Sequence, residues 1–340
     1  MWGFKHLTPV QGEMTIDLSG VFDVTEIWKA RKRISEIVYR TPLIYSSGLS
    51  ERTGSQVYLK MECWQRCGCF KGRGAVSHVS SLTPEERARG LVTASSGNHA
   101  LAVAFASQLY GDHPTRIYVP EDSDPAKVKR ILAWGPDLVY HGRSFQEAYD
   151  EARRYADENG SVFVHSHADP KVIAGQGTIG LEVMEDLPDT EAVIVPIGGG
   201  GLISGISSAV KTVSEEVKVY GVEPTAAPGA YRSLREGVCY ETLDVGESIA
   251  DGLLGGFGRL PFEICRRTVD DTFLVEEGEI VEAMAAFQQE EQVMVEPASS
   301  VGLAAMMSGK IEIRDRKVVL VVTSRNIDAS RYNQLIHMIE

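Results

Sequence analysis

The chain has 340 residues, 43% hydrophobic and 24% charged, with a formal net charge of −13. That length suits two packed cores better than one, and the acidic balance excludes nucleic acid or an anionic membrane as the main partner, since both select a basic surface. No apolar run reaches the ~18 residues of a spanning helix, and the N-terminal MWGFKHLTPVQGEM lacks an apolar signal core. Five cysteines form no even disulfide framework, so a reducing cytoplasm is expected.

Residues 1–20 have weak periodicity and read as an arm lying on the protein or on a partner subunit. The stretch CGCFKGRGAV (Cys67–Val76) then sets a lysine among two thiols, a phenylalanine and three glycines. In TASSGNHALAVAFASQLYG a strand ends near Ala94, and Ser95, Ser96, Gly97 and Asn98 precede a nearly all-apolar helix. Hydroxyls and N–H groups at a helix start suit a carboxylate; plain N-capping would place the same residues there. TRIYVP reads as a strand, and PAKVKRILAWG as a helix with Pro125 in its first turn and Gly135 at its stop. DLVY is a strand, SFQEAYDEARRYADENG an amphipathic helix, and SVFVHS, EAVIVPI, VKVYGVE and KVVLVVT are further strands. Strands spaced by helices predict an α/β architecture of parallel sheets covered on both faces, in two domains.

The sharpest signal is VIVPIGGGGLISGISSAV. A strand ends at Ile197, Gly198 to Gly201 follow, and a helix begins near Leu202. Glycine lets the backbone approach an anion and take positive φ, while the helix offers unpaired N–H groups and the positive end of its dipole. No Gly-Lys-Ser/Thr closes the loop, and the glycine spacing is not that of a dinucleotide fingerprint. A tight strand–helix turn would need only one or two of the glycines.

Lysine, phosphate loop and carboxylate loop together suggest pyridoxal phosphate. RTPLIYSSGLSERTG from Arg40, then SSGNHA, VIAGQGTIGLEV, GGGGL, GVEP, IADGL, VEPASSVG and VVTSRNID follow in order. On these motifs the chain resembles, over nearly its whole length, the fold-type II pyridoxal-phosphate enzymes of the threonine/serine dehydratase and serine racemase family. The resemblance implies a tryptophan synthase β-like fold, with a large cofactor-binding domain of residues 1–84 and 168–340 and a small substrate-clamping domain of residues 85–167. It implies pyridoxal 5′-phosphate as cofactor, a small amino acid as substrate and a homodimer. Lys71 matches the Schiff-base lysine, with Phe70 beside the ring. Asn98 matches the residue on the cofactor's 3-oxygen, and Gly198, Gly199, Gly200, Gly201 and Leu202 the phosphate loop. Gly252 and Glu296 fall near the ring, and Thr323 against the pyridine nitrogen, where a neutral hydroxyl leaves it largely unprotonated. Ser95, Ser96, Gly97, Asn98 and His99 match the substrate-carboxylate loop. Lys71 and Ser96 are the acid–base candidates, Ser96 because racemase members carry a serine there.

The chain departs from the pattern at several points. Cys67-Gly68-Cys69 replaces the usual Thr-Gly-Ser, either as small buried side chains or as a tuned thiol or metal cluster with Cys63, although that spacing is not a standard zinc pattern. Leu101 makes its side of the pocket more apolar. Ser324-Arg325 stands for two glycines, with Arg325 either touching substrate or exposed. Glu223 matches a divalent-cation ligand, but Gly229 stands where its partner acid is usual, leaving such a site short of a carboxylate. No regulatory extension follows TSRNID, as for a catabolic or specialised enzyme. The expected activity is that of an ammonia-lyase removing water from a β-hydroxy amino acid to give a 2-keto acid and ammonia. Serine, threonine, 3-hydroxyaspartate and a modified amino acid all fit. A racemase, a β-replacement enzyme and a non-catalytic pyridoxal-phosphate protein are the alternatives.

Overall fold

The computed structural model describes residues 18–337 apart from Asp112. The expected N-terminal arm lies outside the described residues up to residue 17; Leu18 is buried with Phe22, Val24 and Ile27. The described strands are β1 (Leu43–Ser46), β2 (Gln56–Lys60), β3 (Leu91–Ala94), β4 (Thr115–Val119), β5 (Asp137–Tyr140), β6 (Val162–Phe163), β7 (Ala192–Pro196), β8 (Lys218–Pro224), β9 (Asp271–Val275) and β10 (Lys317–Val321). They form a six-stranded sheet in the order β1-β2-β10-β7-β8-β9 and a four-stranded sheet in the order β5-β4-β3-β6. All neighbours are parallel except β1, which runs antiparallel to β2 at the edge. The expectation of parallel sheets fails only at that edge. There Ser46 closes β1 directly into the helix Ser47–Thr53, and Gly54, at φ +68°, ends that helix and lets the chain turn back into β2.

The central strands are buried along their length because both faces are covered. Ala192–Pro196 and Val318–Val321 have no exposed residue. The helices obey their end signals. Asp124 caps the helix Pro125–Leu132, and Ser144 with Glu147 forms a capping box on the helix Phe145–Asn159. That second helix buries Ala148, Ala152 and Ala156, one turn apart, against β3 and β4. Behind the six-stranded sheet the helices Pro170–Asp186 and Gly201–Val213 cross at backbone contact. A Cβ on Gly205 would lie 2.4 Å from the Ile173 carbonyl oxygen, so only glycine permits the approach. The helix Lys71–Ser81 packs through Ala75, Val76 and Val79 on Ala102, Val103 and Ala106 of the helix Asn98–Gln108. This pairs their N-terminal ends in space.

The carboxyl ends of β3, β6, β7 and β10 run directly into Ser95, Val164–His167, Gly198 and Thr323. Parallel α/β sheets collect ligands at that end.

Candidate active site

The loop before Lys71 is stitched to the end of β10. Phe70 N–H donates to the Thr323 carbonyl at 2.9 Å, Cys69 bridges Ser324, and Arg325 N–H donates to the Gly68 carbonyl at 3.0 Å. Lys71 opens the helix Lys71–Ser81. Its Nζ donates to the Ser166 carbonyl at 2.9 Å and lies 5.2 Å from the Phe70 ring centroid. Desolvation pushes its pKa down to about 8. Two residues on, the Arg73 guanidinium is fully buried and bonds Glu62 and Glu182, which anchors this end of the helix.

Cys67 and Cys69 are both free, with sulfurs 3.8 Å apart. They belong to the apolar cluster under the two paired helices. Burial holds the Cys69 thiol well above its ordinary pKa, while the hydrogen bond from Cys69 lowers that of Cys67. No group of three or more His, Cys, Asp or Glu among the described residues is arranged to hold a metal ion.

The glycine loop forms as expected, with the helix starting at Gly201 and Gly200 as its N-cap at φ +90°. No side chain caps this helix and no acid sits in its first turn, so its leading N–H groups are free for an anion. Crowding behind the loop also demands glycine: a Cβ on Gly200 would stand 2.3 Å from Phe257, and one on Gly199 would stand 2.3 Å from the His167 ring. Gly252 adjoins Gly198, whose added Cβ would lie 3.4 Å from the Gly252 carbonyl. The Leu202 side chain points into the core, leaving its backbone as its only contribution to the loop.

In the opposite loop, the N-cap of the helix Asn98–Gln108 is Gly97, which has no side chain to cap with. Ser95 Oγ accepts from Gly97 N–H at 3.1 Å. Neither serine caps the helix, so a carboxylate can take its N–H groups. His99 is buried and its Nε2 donates to the Val164 carbonyl at 3.0 Å. Desolvation drops its pKa to about 3, so the neutral ring offers an anion no further proton and its contribution is its main-chain N–H. Asn98 Nδ2 donates to the Glu296 carboxylate at 3.0 and 3.1 Å, and Asn326 Nδ2 donates to Asn98 Oδ1 at 2.6 Å. Burial raises the pKa of Glu296. Thr323 Oγ1 lies 2.8 Å from Ser299 Oγ.

Ser166, His167, Asn326 and Ser299 were not legible as site residues in the sequence. The one available signal was HSHADP, an unusually polar strand end leading into the helix Pro170–Asp186 that Asp169 caps. Arg325 is exposed. Glu223 spends both carboxylate oxygens on the N–H groups of Ala230 (2.9 Å) and Tyr231 (2.7 Å), at the start of the helix Gly229–Glu236. The residues thus converge as a lysine of lowered basicity between two uncapped helix starts. That donor set fits an aldehyde carrying a phosphate, alongside an amino acid carboxylate.

Residues 34–324 match the family model described as pyridoxal-phosphate dependent enzyme. The L-threonine ammonia-lyase of Thermotoga maritima is 44% identical over 313 residues, covering 92% of this chain and 77% of that protein. The catabolic L-threonine dehydratase TdcB of Escherichia coli (strain K12) is 38% identical over 325 residues, covering 95% and 98%. Among solved structures, maize serine racemase superposes with a TM-score of 0.87 at 34% identity, covering 94% of this chain and 100% of that one.

Proposed function

The chain belongs to the pyridoxal-phosphate dependent enzyme family, and on that footing we propose that it is an ammonia-lyase. It would remove water from a small β-hydroxy amino acid of the threonine or serine type, leaving a 2-keto acid and ammonia. When bound, the cofactor supplies an aldehyde that a primary amine can join and a conjugated ring that draws electrons from Cα.

The chain's own residues do the rest. Lys71, pushed down to about 8, is neutral in a useful fraction near neutral pH, both to hold the aldehyde and, once the substrate amine replaces it, to take the Cα proton. Gly198–Gly201 and the uncapped helix behind them hold the phosphate. Ser95, whose Oγ takes the Gly97 N–H, and the main-chain N–H groups of Asn98 and His99 hold the substrate carboxylate. Asn98, braced by Glu296 and Asn326, meets the ring oxygen. Thr323 faces the ring nitrogen with a hydroxyl that does not charge it. Residues 85–167, which carry the four-stranded sheet, serve as the substrate clamp against a cofactor domain of residues 1–84 and 168–340. The same reading has the protein working as a homodimer in a reducing cytoplasm.

The observation that carries this is Lys71 Nζ held by the Ser166 carbonyl between the two uncapped helix starts. The test is Lys71→Ala. The wild type should show the visible absorbance of a lysine-bound cofactor, fixed to Lys71 by borohydride. The variant should show neither, and a reducible attachment at another lysine would contradict the assignment.

A second reading, racemisation, has one observation in its favour. Ser96 is half-buried in the carboxylate loop, and its hydroxyl is free of the capping duty that would otherwise explain it. We give elimination the main role and Ser96 a minor one.

A further inference from the structure

The turn that leads into Lys71 brings two thiols together. Gly68, at φ +72°, stands between Cys67 and Cys69 in the left-handed region that favours glycine, and a Cβ there would lie 2.5 Å from Asn326 Oδ1. Its N–H donates to the Gln65 carbonyl at 2.7 Å and closes the turn. The two sulfurs end 3.8 Å apart, and both are free. A disulfide needs about 2.05 Å, which a tightening of this turn supplies without rearranging the fold.

The two thiols differ in their surroundings. Cys67 Sγ sits over the first turn of the helix Lys71–Ser81, where a Cβ on Gly72 would stand 2.9 Å from it. That helix start has no side-chain cap and no acid in its first turn, and reactive cysteines are found at such places. The Cys69 thiol and the Gly72 N–H stabilise the Cys67 thiolate and hold Cys67 below its ordinary pKa. Burial keeps Cys69 a neutral thiol. Cys69 has no exposed surface, whereas Cys67 retains 8%, an opening for a small oxidant.

We propose that Cys67 and Cys69 form an oxidation site, a dithiol that a peroxide closes to a disulfide, disturbing the site around Lys71. The Cys67 thiolate attacks one peroxide oxygen, the O–O bond breaks, and Cys67 becomes a sulfenic acid as hydroxide leaves. The Cys69 sulfur then displaces the Cys67 hydroxyl, which departs with the Cys69 proton as water. Two electrons pass from the sulfurs to the peroxide, and the hydroxide takes up the proton that Cys67 first released. The effect on the site rests on the pyridoxal-phosphate reading; the thiol chemistry does not. Asn326 Nδ2 donates to the Cys67 carbonyl at 2.9 Å and to Asn98 Oδ1 at 2.6 Å. Drawing Cys67 toward Cys69 moves the carbonyl that Asn326 holds, and with it the brace on Asn98.

The experiment treats reduced holoprotein with hydrogen peroxide, unfolds it, alkylates the thiols with iodoacetamide and digests with trypsin. Arg66 and Lys71 flank the pair, so one peptide, Cys67–Lys71, carries both sulfurs. In wild type this peptide should become two hydrogens lighter and refuse alkylation, and dithiothreitol should restore it. Cys63 and Cys265, which burial pushes up to about 12, should still alkylate. Keto-acid release should fall on the order of ten- to a hundredfold, as for a small misplacement in an active site, and recover with dithiothreitol. Cys67→Ser should keep its own activity through the same treatment.

A peptide that keeps two alkylatable thiols, or that gains oxygen at Cys67 without losing two hydrogens, would overturn the inference. So would a disulfide that leaves turnover unchanged, or a loss of activity in Cys67→Ser equal to that of wild type. Should Cys67→Ser not fold, the wild-type peptide and the recovery with dithiothreitol decide alone. A protein that takes up no pyridoxal phosphate would remove the cofactor reading instead, and the peptide mass would still read the dithiol.

Discussion

At the scale of single residues, the account turns on a lysine whose basicity is set by its surroundings. Desolvation at the start of its helix pushes Lys71 to about 8, whereas an exposed lysine stays near 10.4. Only the neutral amine captures an aldehyde, so capture should rise with pH and level off above about 8. Reconstitution of the apoprotein followed by stopped-flow absorbance from pH 6 to 10 checks this, and a midpoint above pH 10 would contradict it. Ser95 is engaged with Gly97 N–H and half-buried. Ser95→Ala should raise KM for the amino acid by roughly tenfold or more, the loss of about 1.5–3 kcal/mol for a charge-assisted bond, while cofactor affinity changes little. Equal kinetics in the variant would make the loop a helix start and nothing else. Solvent-deuterium uptake and chiral analysis of recovered substrate address Ser96. Slow scrambling in wild type that disappears in Ser96→Ala is expected, and identical behaviour of the two would remove Ser96 from the chemistry.

At the scale of elements, the site is assembled by what holds the helix of Lys71 in place. Arg73 is fully buried and donates from Nε to Glu62 and from its terminal nitrogens to Glu62, Glu182, Thr178 and the Tyr39 carbonyl. Lys60, equally buried, donates to Glu182 and to the Thr41 carbonyl. Two cations and two carboxylates thus close on each other with no water needed. Removing Arg73 alone strands the carboxylates, and breaking a buried pair this way costs about 3–5 kcal/mol. Arg73→Met should lower the urea midpoint accordingly, whereas Arg154→Ala, at an exposed helical pair, should leave it almost unchanged. Comparable midpoints for the two would mean that the buried cluster does not anchor the helix. Such elements were partly legible in the sequence. The helix Pro125–Leu132 was readable because Asp124 and Pro125 mark its start locally. The strand Asp271–Val275 was not singled out. Glu223, a weak cation-ligand candidate in sequence, accepts from a helix start, and that contact is not legible locally because the amides come from residues folded back seven and eight positions later.

At the scale of the whole molecule, the two sheets converge at one seam, and what the sequence concealed is what crosses it. The strand–loop–helix pieces that hold Lys71, Ser95 and the glycine loop are local and could be read from their punctuation. The pairings Asn98–Glu296 and Asn98–Asn326 join residues about two hundred positions apart, and the His167 ring packs against Gly199 and Gly258. No local pattern carries those contacts. The ion pair of Lys127 with Asp251 spans the same seam, from the helix Pro125–Leu132 to the turn that holds Gly252. The fold and lysine by themselves fit elimination, racemisation and replacement alike; the reading as a lyase is a statement about which bond is lost. The direct measurement is therefore product analysis on the purified holoprotein with L-threonine and L-serine in turn. The account predicts 2-keto acid and ammonia released one for one, abolished in Lys71→Ala. Turnover that inverts the amino acid while releasing neither product would contradict it.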